Sequence, residues 1–129
     1  VEKHLMNIAL WIIAGLLAVA FLAAGLMKAT QPREKLAASG MTWATDFSAG
    51  SVKAIGAVEA LGALGLILPA VLDIAPALVA WAATGLAVTM LGAAAVHLRR
   101  GEAKAVPPSL VLLLLAAVVA WGRFGPQAF

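Results

Sequence analysis

The chain has 129 residues, of which 64% are hydrophobic and 12% charged. Soluble domains are about 45–50% apolar and about 25% charged, so lipid is the expected solvent here. The absence of cysteine excludes disulfides, thiolate metal sites and cysteine redox chemistry. The formal net charge of +3 does not point to nucleic acid. The basic residues sit at the ends of apolar runs, where they meet anionic lipid head groups.

The first apolar run covers residues 5–27, and a bilayer core takes about 20 apolar residues. A signal peptide is the competing reading, since Lys3 precedes an alanine-rich run. The length of the run and the three further runs favour a membrane span. Residues 28–50 form the longest polar stretch. Gln31-Pro32 signals a helix start, Arg33 to Leu36 fit a short surface helix, and Ser39-Gly40 ends it. The remainder reads as a connection on the membrane surface, with Trp43 in the head-group layer.

The second span is expected over residues 51–72. Asp73 and Pro76 mark a tight turn, so this span and the third, over residues 75–98, form an antiparallel hairpin. Arg99-Arg100-Gly101-Glu102 closes the third span, with the glycine as its stop. Pro107-Pro108 opens a fourth span over residues 107–123. The expected fold is therefore all-α: one domain over residues 1–129, a bundle of four transmembrane helices.

Seven of the nine Lys and Arg residues lie at 28–53 and 99–104. Only Lys3 and Arg123 lie elsewhere. The positive-inside rule places loops 28–50 and 99–106 in the cytoplasm and both termini outside the cell membrane. Trp11, Trp81 and Trp121 then fall near the outer interface, as an aromatic belt.

One carboxylate lies deep in a span. Glu59 is nine residues into the second apolar run, where insertion costs roughly 2.5–3.5 kcal/mol. At about 100° per residue, its side of the helix carries Val52, Ile55, Gly56, Gly62, Ala63 and Leu66. Ala57, Leu61, Leu64 and Leu68 occupy the far side. Small residues allow close helix approach, so Glu59 is expected to face the bundle and the leucines to face lipid. Lys28, after Ala24 and Gly25, and His97, after Ala93 and Ala94, are its expected companions.

Glu59 and His97 are the candidate proton relay, and Lys28, Gly25, Gly56 and Gly62 the candidate ligand-binding positions. Arg99 and Arg100 read as topology anchors. No metal site is expected, because one deep histidine without cysteine makes no closed zinc site. Haem is not favoured either, since His97 would be a single axial ligand.

Four segments carry a resemblance. They are Ala-Gly-Leu-Met-Lys (24–28), Val-Lys-Ala-Ile-Gly-Ala-Val-Glu-Ala-Leu-Gly-Ala-Leu-Gly-Leu-Ile-Leu-Pro (52–69), Met-Leu-Gly-Ala-Ala-Ala-Val-His-Leu-Arg-Arg-Gly-Glu (90–102) and Ala-Trp-Gly-Arg-Phe (120–124). In this order the chain resembles the DoxX-like family of small four-helix membrane proteins. The resemblance implies kinship with subunits of a thiosulfate:quinone oxidoreductase, with proteins of other membrane redox complexes, and more distantly with animal proteins that assist receptor assembly. It points to Gly25, Lys28, Gly56, Glu59, Gly62, His97, Arg99 and Arg100. With the buried acid and the histidine, it leads to a membrane subunit that binds a small hydrophobic redox partner, a quinone above all, beside other membrane redox subunits and the lipid bilayer; the short fourth span and the Gly/Ala faces also permit a second copy. A non-catalytic scaffold and an isomerase-like enzyme acting on a lipid-like substrate are the alternative readings.

Overall fold

A computed structural model of the chain describes residues 2–129. It contains α1 (Glu2–Thr30), α2 (Arg33–Ala38), α3 (Ala49–Val71), α4 (Leu78–Arg99) and α5 (Val106–Phe124). Short 3-10 turns occupy Thr42–Asp46 and Ala103–Ala105. Among the described residues there is no strand. Helices α1, α3, α4 and α5 are long and apolar enough to cross a membrane, so the chain is an integral membrane four-helix bundle.

The element ends follow local chemistry. Ser48 caps α3, its hydroxyl accepting the backbone N–H of Ser51, the usual task of serine before a helix. Pro32 stands immediately before α2 rather than inside it. The helix expected from residue 75 begins only at Leu78. Asp73 and Ala75 adopt φ of 52° and 47°, and two left-handed residues so close together cannot belong to a right-handed helix. At the other end of α4, Gly101 has φ 71°. The Glu102 N–H donates to the His97 carbonyl and the Gly101 N–H to the Leu98 carbonyl. This is the Schellman arrangement, and it folds the chain back over the last helical turn.

The four long helices form two antiparallel pairs, α1 with α3 and α4 with α5. In lipid there is no hydrophobic force between helices, so close packing through small residues must hold them. The bundle has two ends. One, the terminal end, carries the start of α1, the end of α5 and the Asp73 turn. The other, the connector end, carries residues 31–48 and 100–105. Toward the terminal end the two pairs interlock: a Cβ on Gly62 would meet Leu86 at 2.8 Å, one on Gly65 would meet Ala82 at 2.9 Å, and one on Gly122 would meet Leu10 at 2.5 Å. The main apolar core, including Leu10, Leu17, Leu66, Leu86 and Val119, fills this region.

The expected sidedness of α3 is observed. Val52, Gly56, Glu59, Ala63 and Leu66 are buried, whereas Leu61, Leu64 and Leu68 are exposed to lipid. Trp81 and Trp121 are likewise exposed. Trp43 is half-buried rather than exposed. Together with Phe47 it packs against a second small core made by Leu36, Ala44 and Val52.

Candidate functional site

Toward the connector end the two helix pairs part. There α1 and α3 meet backbone to backbone. A Cβ built on Gly25 would stand 2.6 Å from the Gly56 carbonyl oxygen and 2.7 Å from the Ala60 nitrogen. One built on Gly56 would stand 2.5 Å from the Gly25 oxygen and 2.6 Å from the Ala29 nitrogen. Only glycine at both positions permits this approach. With α1 drawn onto α3, a cavity of about 420 Å³ is left between that pair and α4 with α5. This volume is within the range of about 300–1,000 Å³ typical of small-molecule sites.

The crossing also sets the central ion pair. Glu59 is 1% exposed and stands about 15 Å along α3, at about 1.5 Å per residue. Lys28 begins at the level of Gly56, its Cβ being 2.8 Å from where a Gly56 Cβ would lie. Its side chain then runs inward, and Nζ donates to Glu59 Oε1 at 2.6 Å. A lysine near a helix end ordinarily reaches outward to water. Here the buried carboxylate draws it the other way. The ammonium also stands 5.4 Å from the centre of the Trp43 ring, within cation–π range. Both Lys28 and Glu59 line the cavity.

The opposite wall comes from α4 and α5. Met90, Ala93, Val96 and His97 contribute from α4, and Ser109 and Leu112 from α5. Trp43 and Phe47, stacked edge to face with ring centres 5.8 Å apart, roof the connector end. Ala20 and Gly92 also line the cavity, and both are exposed. They lie inside apolar spans, so the cavity reaches the bundle surface at the depth of the hydrocarbon.

The roof is tied to α4 by a polar clasp. Thr42 donates to Glu102 Oε2 at 2.9 Å, Arg100 Nε donates to Glu102 Oε1 at 3.2 Å, and Arg100 pairs with Asp46. Glu102 Oε1 also meets His97 Nδ1 at 3.0 Å. The hydrogen bond from His97, then that from Thr42, with Arg100 adding charge, hold the Glu102 carboxyl below its usual range. Asp46 beside Arg100 raises the guanidinium's already high pKa, and Glu102 adds to this.

The expected residues thus divide. Lys28, Glu59 and His97 surround one cavity. Gly25 and Gly56 do not line it; they stand behind its wall and let α1 and α3 touch. Gly62 faces Leu86 instead, so its position is a matter of packing between α3 and α4 and not of ligand contact. Arg99 is exposed, while Arg100 is half-buried in the clasp. Ser109, Trp43, Phe47, Thr42, Asp46 and Glu102 were not expected at the site. Glu102 had a readable signal, since a glycine stop folds the following residue back toward the last turn. Ser109 had only its polarity in an apolar run. At the terminal end Arg123, 5% exposed, donates to Asn7 Oδ1 at 2.8 Å and to the Gln127 carbonyl at 2.9 Å. It thereby fastens α5 to α1, away from the cavity.

Neither curated proteins nor solved structures yield a match to this chain. The sequence profile of the DoxX-like family matches residues 12–119, which includes every residue of the ion pair, the cavity wall and the clasp. The chain therefore belongs to the DoxX-like family.

Proposed function

We propose that the chain binds a small lipid-soluble ring compound of the quinone class in the Lys28–Glu59 cavity, as the membrane subunit of a redox system. One observation carries this reading: an apolar cavity that reaches the bundle surface at hydrocarbon depth has an ion pair in its wall. A water-soluble ligand would not enter by that route. A plain lipid tail would leave the polar groups without use.

The residues suit a quinone head group. Lys28 gives one hydrogen to Glu59 and keeps two N–H donors, enough for a ring carbonyl. Trp43, Phe47 and Phe21 supply flat apolar surface. Glu59 keeps Lys28 turned inward and can hold a proton close to the ligand. An intramembrane acid of this kind marks a proton or ligand site more often than a purely structural one. A quinone bound here would supply electron and proton exchange. The chain's own part is to bind, orient and exclude water. The distribution of basic residues supports a cell-membrane topology with the connector end in the cytoplasm and both termini outside.

The test is retention of a radiolabelled short-chain benzoquinone by the chain in lipid nanodiscs. Glu59→Gln should weaken binding by about tenfold or more, the equivalent of one lost charge-assisted hydrogen bond. The helical circular dichroism should be preserved. Unchanged retention by the variant would overturn the reading.

A further inference from the structure

Two polar groups in the α4–α5 wall have no task in the ion pair. Ser109 is 7% exposed and lines the cavity. Among the described residues its hydroxyl has no hydrogen-bond partner. This is unlike the chain's other hydroxyls within helices: Thr84 donates to the Ala80 carbonyl and Thr89 to the Gly85 carbonyl, the usual way for a hydroxyl in lipid to satisfy itself. The hydroxyl is not sealed off; it opens on the cavity that Ser109 lines, where a ligand can reach it.

The second group is His97. Its Nδ1 is engaged by Glu102, which lies outside the cavity wall. Glu102 is an ionised carboxylate that only accepts hydrogen bonds, so Nδ1 carries the proton. In the neutral ring, Nε2 is then a bare acceptor; His97 lines the cavity, and with Nδ1 engaged by Glu102, Nε2 is the ring nitrogen without a partner among the described residues. A carboxylate behind a histidine fixes the tautomer in this way at many sites. The Schellman turn at Gly101 makes the contact possible, because it brings Glu102 back over the turn that carries His97.

The two walls are therefore opposite in character. Lys28 offers donors, while His97 offers an acceptor, with Ser109 on the same side. We infer that the His97–Glu102 pair and Ser109 form a hydroxyl-recognising pole, so that the cavity holds the hydroquinone form of its ligand in preference to the quinone. One ligand hydroxyl donates to His97 Nε2. The oxygen of the other accepts from Lys28 Nζ. A quinone carbonyl in the first position would set its lone pairs against that of Nε2 and leave the nitrogen unsatisfied. Glu102 is a positioning residue in this scheme, acting through His97.

This inference rests on the quinone-class reading above, and the experiment separates the two. A short-chain benzoquinone, its hydroquinone and the hydroquinone dimethyl ether are each titrated into the full chain in nanodiscs, under argon. The hydroquinone should bind about tenfold tighter than either of the others, the cost of one buried acceptor left unpaired. Ser109→Ala should weaken the hydroquinone severalfold. Glu102→Ala is the sharper variant. It removes the acceptor behind Nδ1, so the ring proton is no longer fixed there and the preference for the hydroquinone should vanish. A merely structural Glu102 would lower all three affinities together.

A second measurement does not depend on any variant. The ¹⁵N spectrum of wild-type His97 should show the proton on Nδ1 and none on Nε2. A proton on Nε2 would overturn the inference. Equal binding of the three compounds, or preference for the quinone, would overturn it too and leave the quinone-class reading standing. Failure of all three to bind the wild-type chain would overturn both.

Discussion

The two ends of this bundle use glycine in opposite ways. At the terminal end, Gly62, Gly65 and Gly122 receive the side chains of Leu86, Ala82 and Leu10. Helices there interlock across the pairs, and the space between them is filled. At the connector end, Gly25 and Gly56 receive each other's backbone. That contact tightens one pair, and beside it the space between the pairs is left as a cavity. Both uses follow the rule that small residues bring membrane helices together. The difference lies in what the glycine meets: a side chain closes the bundle, and a backbone opens it elsewhere. The polar groups follow the same division. Arg123 at the terminal end is consumed by Asn7, by the Gln127 carbonyl and by the Phe129 ring, whose centre is 4.0 Å away. Lys28, His97 and Ser109 at the connector end keep donors or acceptors in hand.

The largest effect on this contrast should come from Lys28→Met. It strands Glu59 at 1% exposure, and breaking a buried pair by removing one partner costs about 3–5 kcal/mol. Glu59→Gln should cost less, because Lys28 stands nearer the helix end and can turn outward. Thermal unfolding in detergent should rank the two in that order. Equal losses would mean that the pair is not the one-sided arrangement described.

Next is Gly56→Ala. Its new Cβ would press on the Gly25 carbonyl and the Ala29 nitrogen, and backbone cannot yield as a side-chain end can. Overpacking of this kind costs about 1–3 kcal/mol, and forcing α1 from α3 should also shrink the cavity and weaken ligand binding. Gly92→Ala is the paired control, since nothing lies within 4 Å of its Cβ position. It should leave the melting temperature at or above that of the wild type. A Gly56→Ala variant of unaltered stability would break the account of how the cavity forms.

The smallest effect concerns the roof. The Glu102 carboxyl is held below its usual range by His97, Thr42 and Arg100, and Arg100 is itself paired with Asp46. A depressed carboxyl contributes at pH values above its unfolded pKa, and its contribution is lost as pH falls through the folded pKa. The roof should therefore stay closed at neutral pH and loosen only under acid conditions below the ordinary carboxylate range. In a variant whose sole tryptophan is Trp43, quenching by acrylamide should rise over that acid range. Constant quenching across it would show that the clasp does not hold the roof.

Much of the architecture was legible without coordinates, because it rests on local physics. Four apolar runs of bilayer length dictate four spans, and periodicity alone puts Glu59 on the packed face and Leu61, Leu64 and Leu68 in lipid. The glycine stop after Arg100 needs only the left-handed freedom of Gly101. What the residue order could not supply was distance between helices. Lys28 and Glu59 are 31 positions apart, and only the Gly25–Gly56 contact turns their company into a hydrogen bond. Of three glycines expected at the ligand, Gly25 and Gly56 instead meet each other, and Gly62 packs on Leu86. Trp43 looks like a head-group tryptophan in sequence because its neighbours are polar. It becomes a roof because the chain from α2 folds over the gap that the helices leave. Sequence by itself decided which groups enter the membrane. Tertiary structure decided which of them meet, because the helix crossing and the turn after α4 set those distances.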